Sequence, residues 1–344
     1  MNSSDRTRTI VRRRRQQGQI VTGSLRDTLP GAEERERWLF ISPHDDDPAI
    51  SAGMFLATAA AEGVQIRMRI ATDGSMGYTS VVAADEVVER RRRETRDSCR
   101  QLGIDDVEWY NYPDARLHRW QGRFPVGDVS VTAGATSNVL TSNSAGTAGA
   151  AAEHPAGIHT VAGYTGLQNS ITAEIRSYRP TRILVMSAED YHPDHKIVHQ
   201  EVMISIFHAQ GDVWPELGSP IEALPWVHEC AAYAPFAGDP DLELTGTAEL
   251  FERKLQAIAT FVSQTQIARL VAGLKASGPY EYLRSFPFET YSPQRYAGLF
   301  HSPAAETTGG GEGGAQGATH GGAHKATHGG AQGATHGGAH GDTR

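Results

Sequence analysis

From Trp38 onward the chain alternates short apolar runs with segments of helical period, and that alternation restricts it to an α/β architecture. Trp38-Leu39-Phe40-Ile41 reads as a buried strand, and residues 49–61 as a helix ended by Gly63. A strand over 64–72, a helix over 83–102 ended by Gly103 and a strand over 107–110 follow. Further on, 167–178 reads as a helix stopped by Pro180, 182–187 as a strand and 195–209 as a helix. Strands separated by helices pair in parallel, so the order predicts one domain with a mainly parallel sheet flanked by helices. In such sheets ligands bind beyond the carboxyl ends of the strands, which draws attention to the strand-to-helix turns.

Two of those turns carry histidine and aspartate clusters. Ser42-Pro43-His44-Asp45-Asp46-Asp47 follows the first apolar run, and Asp190-Tyr191-His192-Pro193-Asp194-His195 follows a later one. Imidazole and carboxylate suit zinc or another divalent first-row ion, and the pairing leaves carboxylates free for proton transfer. In the first turn, the spacing of His44 and Asp47 lets both point at one ion while Asp46 points beside it. A carboxylate next to a bound water, but not spent on the metal, is a natural general base. Three successive aspartates repel one another, so a cation or strong hydrogen bonding is expected there. Asp47 before Pro48 is also a good helix-capping sequence, and spacing alone leaves both readings open. The second turn adds His192, Asp194 and His195, enough for a third ligand, a second imidazole and a carboxylate to orient it. His199, four residues after His195, forms a competing pair but lacks the accompanying Glu and reads as a helix-surface residue.

Both ends of the 344-residue chain look non-globular. Residues 1–30, with Arg12-Arg13-Arg14-Arg15, read as a disordered basic arm. Residues 304–344 form a Gly/Ala/Thr/His tail in which 313–324 recurs word for word at 329–340, a composition that cannot bury a core. Its flexibly spaced histidines preorganise no metal site. One α/β domain over 31–303 remains, with a Gly/Ala/Ser/Thr-rich insertion near 121–165 expected to border the active-site mouth. A net charge of -8 argues against a general nucleic-acid or membrane-surface binder. No run approaches the roughly 18 apolar residues of a membrane span, and two cysteines, Cys99 and Cys230, give no disulfide framework. A cytoplasmic protein is expected. Asp73-Gly74-Ser75-Met76-Gly77 reads as a glycine turn, and Lys254 and Gln264 as structural residues.

Pro43-His44-Asp45-Asp46-Asp47 with Gly53 resembles the first motif of the zinc-dependent N-acetylglucosaminyl deacetylases of the PIG-L/LmbE-like family, and His192-Pro193-Asp194-His195 matches the second. Supporting matches run along 38–266: Arg91-Arg92-Arg93-Glu94 before Leu102-Gly103, Tyr112-Pro113-Asp114 with Leu117, and Lys254 with Ser263-Gln264. The resemblance implies a Rossmann-like fold with Zn2+ held by His44, Asp47 and His195. It implies Asp46 as the general base toward the attacking water, and His192 as the group that polarises the amide carbonyl or protonates the leaving amine, tuned by Asp194. Arg91 and Asp114 match substrate-contacting positions. Family members often carry Pro at the Asp45 position and Glu at the Pro48 position, and neither 121–165 nor the stretch after Gln266 has an assignable match.

The expected activity is removal of an N-acyl group, acetyl foremost, from a small-molecule amino sugar or glycoconjugate. A dinuclear phosphoester hydrolase, needing a second metal bridged by Asp45 or Asp46, is one alternative. A non-catalytic carbohydrate-binding protein on the same fold is the other.

Overall fold

The basic N-terminal segment is structured from Ile10 on: it forms β1 (Ile10–Arg14) and β2 (Ile20–Gly23), then the single turn α1 (Leu25–Thr28). The expectation of a disordered arm over 1–30 therefore fails for these residues. Its arginines are matched by acidic residues over 200 positions away: Arg12 Nη1 donates to Glu243 Oε1 at 2.7 Å, and Arg14 pairs with Asp239 at 3.0 Å. The computed structural model describes residues 8–15, 18–78, 86–126 and 157–296. One compact unit extends through Tyr291, and a separate unit, Ser292–Arg344, is described only to residue 296. The repeat tail and residues 127–156 of the insertion lie outside the described residues.

From Arg37 the alternation appears as β3 (Arg37–Ser42), α2 (Asp47–Ala61), β4 (Gln65–Thr72), α3 (Val87–Leu102) and β5 (Asp106–Tyr112). A short hairpin, β6 (Phe124–Pro125) with β7 (Tyr164–Thr165), precedes α4 (Leu167–Tyr178), β8 (Arg182–Met186) and α5 (Pro193–Gln210). Then come β9 (Trp226–Cys230), β10 (Leu242–Thr245), α6 (Ala248–Ala259), α7 (Ile267–Ser277) and β11 (Tyr280–Pro287).

Nine strands make one sheet in the order β2-β1-β10-β11-β9-β8-β3-β4-β5. The run from β9 to β5 is parallel, whereas β11, β10, β1 and β2 add to β9 in antiparallel fashion. The sheet is thus mixed rather than mainly parallel. The strands with a clear sequence signature, β3, β4, β5 and β8, all fall in the parallel half.

Strand parity decides how the sheet is covered. Trp38 and Phe40 of β3, with Leu184 and Met186 of β8, face the layer containing Met54, Phe55, Leu102 and Ile258. Leu39, Ile41, Ile183 and Val185 face the opposite layer, against Ile171, Ile175, Val198 and Val202. Each such side chain, wholly removed from water, contributes about 1.5–3 kcal/mol. Two features fix the strands that matter for the site. At the amino ends of β3 and β8, buried Glu36 accepts from Thr181 Oγ1 (2.6 Å), Arg182 Nε (3.0 Å) and Arg182 Nη2 (2.9 Å). On α2, Ala52 leaves helical geometry at φ −143°, and Glu281 of β11 accepts from the amides of Met54 (3.1 Å) and Phe55 (2.7 Å). Lys254 Nζ neutralises that carboxylate at 2.6 Å. The antiparallel half is thereby tied to the helix that begins at Asp47.

β3 lies between β8 and β4, with the chain running outward through β4 and β5 and returning on the other side at β8. Strand order reverses there, and connections leaving β3 and β8 diverge into a crevice at their carboxyl ends. Among the described residues no helix is long and apolar enough to cross a membrane.

Candidate metal centre

The crevice receives both predicted clusters. Ring centroids of His44 and His192 are 4.4 Å apart, those of His44 and His195 5.4 Å, and those of His192 and His195 5.2 Å. The turn after β4 brings Met76 and Gly77, and the turn after β5 brings Asp114. Asp46, Arg91, Asp114 and His192 line one pocket, so residues up to 146 positions apart in the chain share a wall.

Asp47 is wholly buried at the centre. Its Oδ2 lies 3.2 Å from His44 Nδ1 and 3.1 Å from His195 Nε2. Its Oδ1 and both ring nitrogens of His195 are buried without a hydrogen bond. Ligands bonded tetrahedrally at 2.0–2.1 Å stand about 3.3 Å apart. The distances from Asp47 to His44 and His195, with Asp47 Oδ1 and His195 Nε2 left without a hydrogen bond, fit a divalent cation of that kind. His44, His192 and His195 also offer ligand atoms within 4.8 Å of one another, as do His44, Asp114 and Asp194. The capping reading of the first turn does not hold, because Asp46 is the N-cap of α2 and its side chain makes no capping bond.

Burial and charge set the protonation of the cluster. Burial opposes ionisation of Asp47, yet the His195 charge and the His195 and His44 contacts hold its carboxyl far below the usual range. Burial alone would lower His195 and His44, but the surrounding carboxylates raise both, chiefly Asp47 for His195 and Asp114, Asp194 and Asp47 for His44. His192 moves the other way, lowered by burial and then by the neighbouring His44 and His195. Asp46 is pushed up to about 6 by burial and by Asp47, with Arg91 as the main offset.

Several partners have no simple sequence signal. Gln264 Nε2, just ahead of α7, donates to Asp46 Oδ2 at 2.9 Å, so it belongs to the site rather than to the scaffold alone. Asp190 Oδ2 stands 3.3 Å from His195 Nδ1, and the carboxylate accepts from the amides of His192 (3.1 Å) and Tyr233 (3.2 Å). Asp45 takes up Arg91: Nε donates to Oδ2 at 2.9 Å, and Nη2 donates to Oδ1. The Arg91 fork is thus occupied by Asp45, and Nη2 lies 3.7 Å from Asp46. A Cβ at Gly77 would overlap Arg91 Nη1, so a larger residue there would displace the guanidinium from this position. Asp194 does not meet the His192 ring with its carboxylate. That carboxylate accepts from Ala115 N at 3.2 Å and lies 3.5 Å from His44 Nε2, while the Asp194 amide donates to His192 Nδ1 at 3.2 Å. The cause is local: His192 is the N-cap of α5, and its ring accepts the amide that a cap must satisfy. Asp114 keeps a place in the pocket, 3.4 Å from His44 Nε2 and accepting from Met76 N at 3.3 Å.

Residues 39–206 match the protein family described as PIG-L: GlcNAc-PI de-N-acetylase. The Probable N-acetyl-alpha-D-glucosaminyl L-malate deacetylase 2 of Bacillus cereus is 24% identical over 236 residues, which cover 66% of this chain and 83% of that protein. The diacetylchitobiose deacetylase of Thermococcus kodakarensis is 34% identical over 80 residues, 23% of this chain and 30% of that one. Among solved structures, the N,N'-diacetylchitobiose deacetylase from Pyrococcus horikoshii matches with a TM-score of 0.54 at 20% identity, covering 74% of this chain and 85% of that chain. The last likeness is one of fold.

Proposed function

The chain carries a PIG-L family domain over residues 39–206, and on that premise we propose that it is a metal-dependent N-deacetylase acting on an N-acetylated amino sugar or glycoconjugate. The observation that carries this reading is the geometry at buried Asp47: His44 Nδ1 and His195 Nε2 stand 3.2 and 3.1 Å from its Oδ2, at ligand-to-ligand spacing, and its Oδ1 has no hydrogen bond. His44, Asp47 and His195 would hold the ion, and zinc is the first candidate for this donor set. A bound divalent cation supplies Lewis acidity toward an amide carbonyl and toward water.

The chain's own groups account for the proton movements. Asp46, tethered by Gln264 and not engaged with His44 or His195, takes the proton of the attacking water, and a carboxyl raised to about 6 can both accept and release it near neutral pH. His192 stays neutral, and because its Nδ1 accepts the Asp194 amide, its proton sits on Nε2. That N–H donates to the developing oxyanion or to the leaving amine. Asp114 and the pocket wall beside it offer acceptors and donors to sugar hydroxyls.

The dinuclear phosphoesterase alternative needs a bridging carboxylate from Asp45 or Asp46. Asp45 is engaged by Arg91 and Asp46 by Gln264, which favours the mononuclear deacetylase. The test is acetate and free-amine release from N-acetylglucosamine conjugates by zinc-loaded protein and by its Asp46→Asn variant. Loss of about 10²-fold or more in kcat is expected, in line with removal of a general base. Undiminished turnover in the variant would overturn the mechanism.

A further inference from the structure

The wall that holds Asp46 is shared with a second opening. A groove of about 480 Å³ runs along α7, lined by Ile50, Ile267, Leu270 and Leu274. Asp46, Tyr233, Gln264 and Gln266 line both this groove and the pocket of His44, Asp114 and His192, so the two are continuous at the general base. Arg91, Asp114 and the Met76–Tyr78 turn line only the catalytic pocket. Leaving Asp46 in one direction the surface is polar, and in the other it is apolar.

Gly273 lies in the groove lining, inside α7. A Cβ at this position would meet nothing within 4 Å, and Gly273 is not among the glycines with positive φ. Glycine inside a helix is less stable than alanine. Nothing in the packing requires it, and the room it leaves belongs to the groove. From Ile267 to Leu274 the floor extends about 10 Å at the helical rise of 1.5 Å per residue, far more than an acetyl methyl needs.

We propose that this groove receives the N-acyl chain of the substrate, so that the enzyme hydrolyses medium-chain N-acyl amino sugars in preference to N-acetyl ones. The inference rests on the deacylase reading of the same site. With the scissile carbonyl before Asp46 and the sugar hydroxyls against Asp114, the acyl chain leaves the carbonyl on the side where the wall becomes apolar. The chemistry is unchanged: the C–N bond breaks, the water oxygen joins the acyl carbon to give a carboxylate, and the water protons pass to Asp46 and the departing amine.

The experiment compares N-acetyl-, N-butyryl- and N-octanoylglucosamine as substrates of the metal-loaded full chain and of its Gly273→Leu variant. For the unaltered protein, KM should fall roughly two- to fourfold per added methylene until the groove is filled, the factor expected for partial to full burial of a methylene. Gly273→Leu should keep or slightly raise its thermal midpoint and keep its N-acetyl turnover while losing the octanoyl advantage. N-acetyl turnover without a gain for octanoyl would overturn the inference and leave the deacetylase reading standing. An octanoyl advantage untouched by Gly273→Leu would overturn it as well. No turnover of any substrate would defeat the deacylase reading itself, and the inference with it.

Discussion

Asp190 and Asp47 hold the His195 ring from its two ends, with Asp190 Oδ2 3.3 Å from Nδ1 and Asp47 Oδ2 3.1 Å from Nε2. A carboxylate at the far nitrogen fixes the tautomer and ring orientation that a metal ligand needs. Asp190→Asn should therefore weaken divalent-metal affinity by roughly 10–100-fold with little change in far-UV circular dichroism. Competition against a chromophoric chelator measures it, and equal affinities in the two proteins would remove Asp190 from this role.

Gln264 should set the acid limb of the pH profile through Asp46. Asp46 acts as a base only when ionised, and burial with the Asp47 charge raises its pKa to about 6. Activity is then lost as pH falls through that pKa, and a bound cation, being positive, moves the limb lower. The Gln264 amide donates to Asp46 at 2.9 Å and favours the ionised form. Gln264→Leu should shift the limb of kcat/KM to higher pH by about half a unit to one unit while the alkaline plateau is kept. A profile scaled down equally at every pH would mean that Gln264 only supports the fold.

The two clusters and the strands that carry them are legible because each signal is local: β3 and β8 are apolar runs, and His44, Asp47, His192 and His195 follow within nine residues of their ends. What was hidden depends on distant partners. Arg12 reads as a solvated charge until Glu243, 231 positions later, is seen across the strand pair. Gln264 touches Asp46 across 218 positions, and no periodicity signals that contact. Asp45, without a role by spacing, is explained by Arg91 on α3. Asp194 is legible only in part, for a different reason: its backbone amide and its carboxylate serve different histidines, a division that residue type does not reveal.

Glu36 predicts how stability responds to acid. Burial pushes its carboxyl up, but the hydrogen bond and charge of Arg182, with Thr181, outweigh that and hold its pKa below the usual range. A group depressed on folding contributes stability that is present above its unfolded pKa, about 4.3 for Glu, and lost as pH falls through the folded value. Thermal midpoints between pH 6 and pH 3 should fall steeply in the unaltered protein and less steeply in Glu36→Gln, which lacks that proton linkage. Parallel slopes would show that the site contributes no linkage.

Glu281 separates two explanations of a buried ion pair. Lys254 and Glu281 are each nearly inaccessible to solvent, and truncating one member of such a pair costs about 3–5 kcal/mol because the other charge remains buried. Glu281→Leu should accordingly lower the thermal midpoint, at roughly 2–4 °C per kcal/mol for a domain of this size. If the carboxylate served only as counter-ion, replacing both residues by apolar ones, Lys254→Met with Glu281→Leu, would restore the stability. The interruption at Ala52 implies otherwise, because the Met54 and Phe55 amides rely on Glu281 as acceptor, and each buried orphan donor costs about 1–3 kcal/mol. The double variant should therefore remain about 2 kcal/mol or more below the unaltered protein in urea unfolding, and a double variant of full stability would sink the acceptor role. Because α2 begins at Asp47, the same variant should also bind metal more weakly, coupling the antiparallel half of the sheet to the site at the carboxyl end of β3.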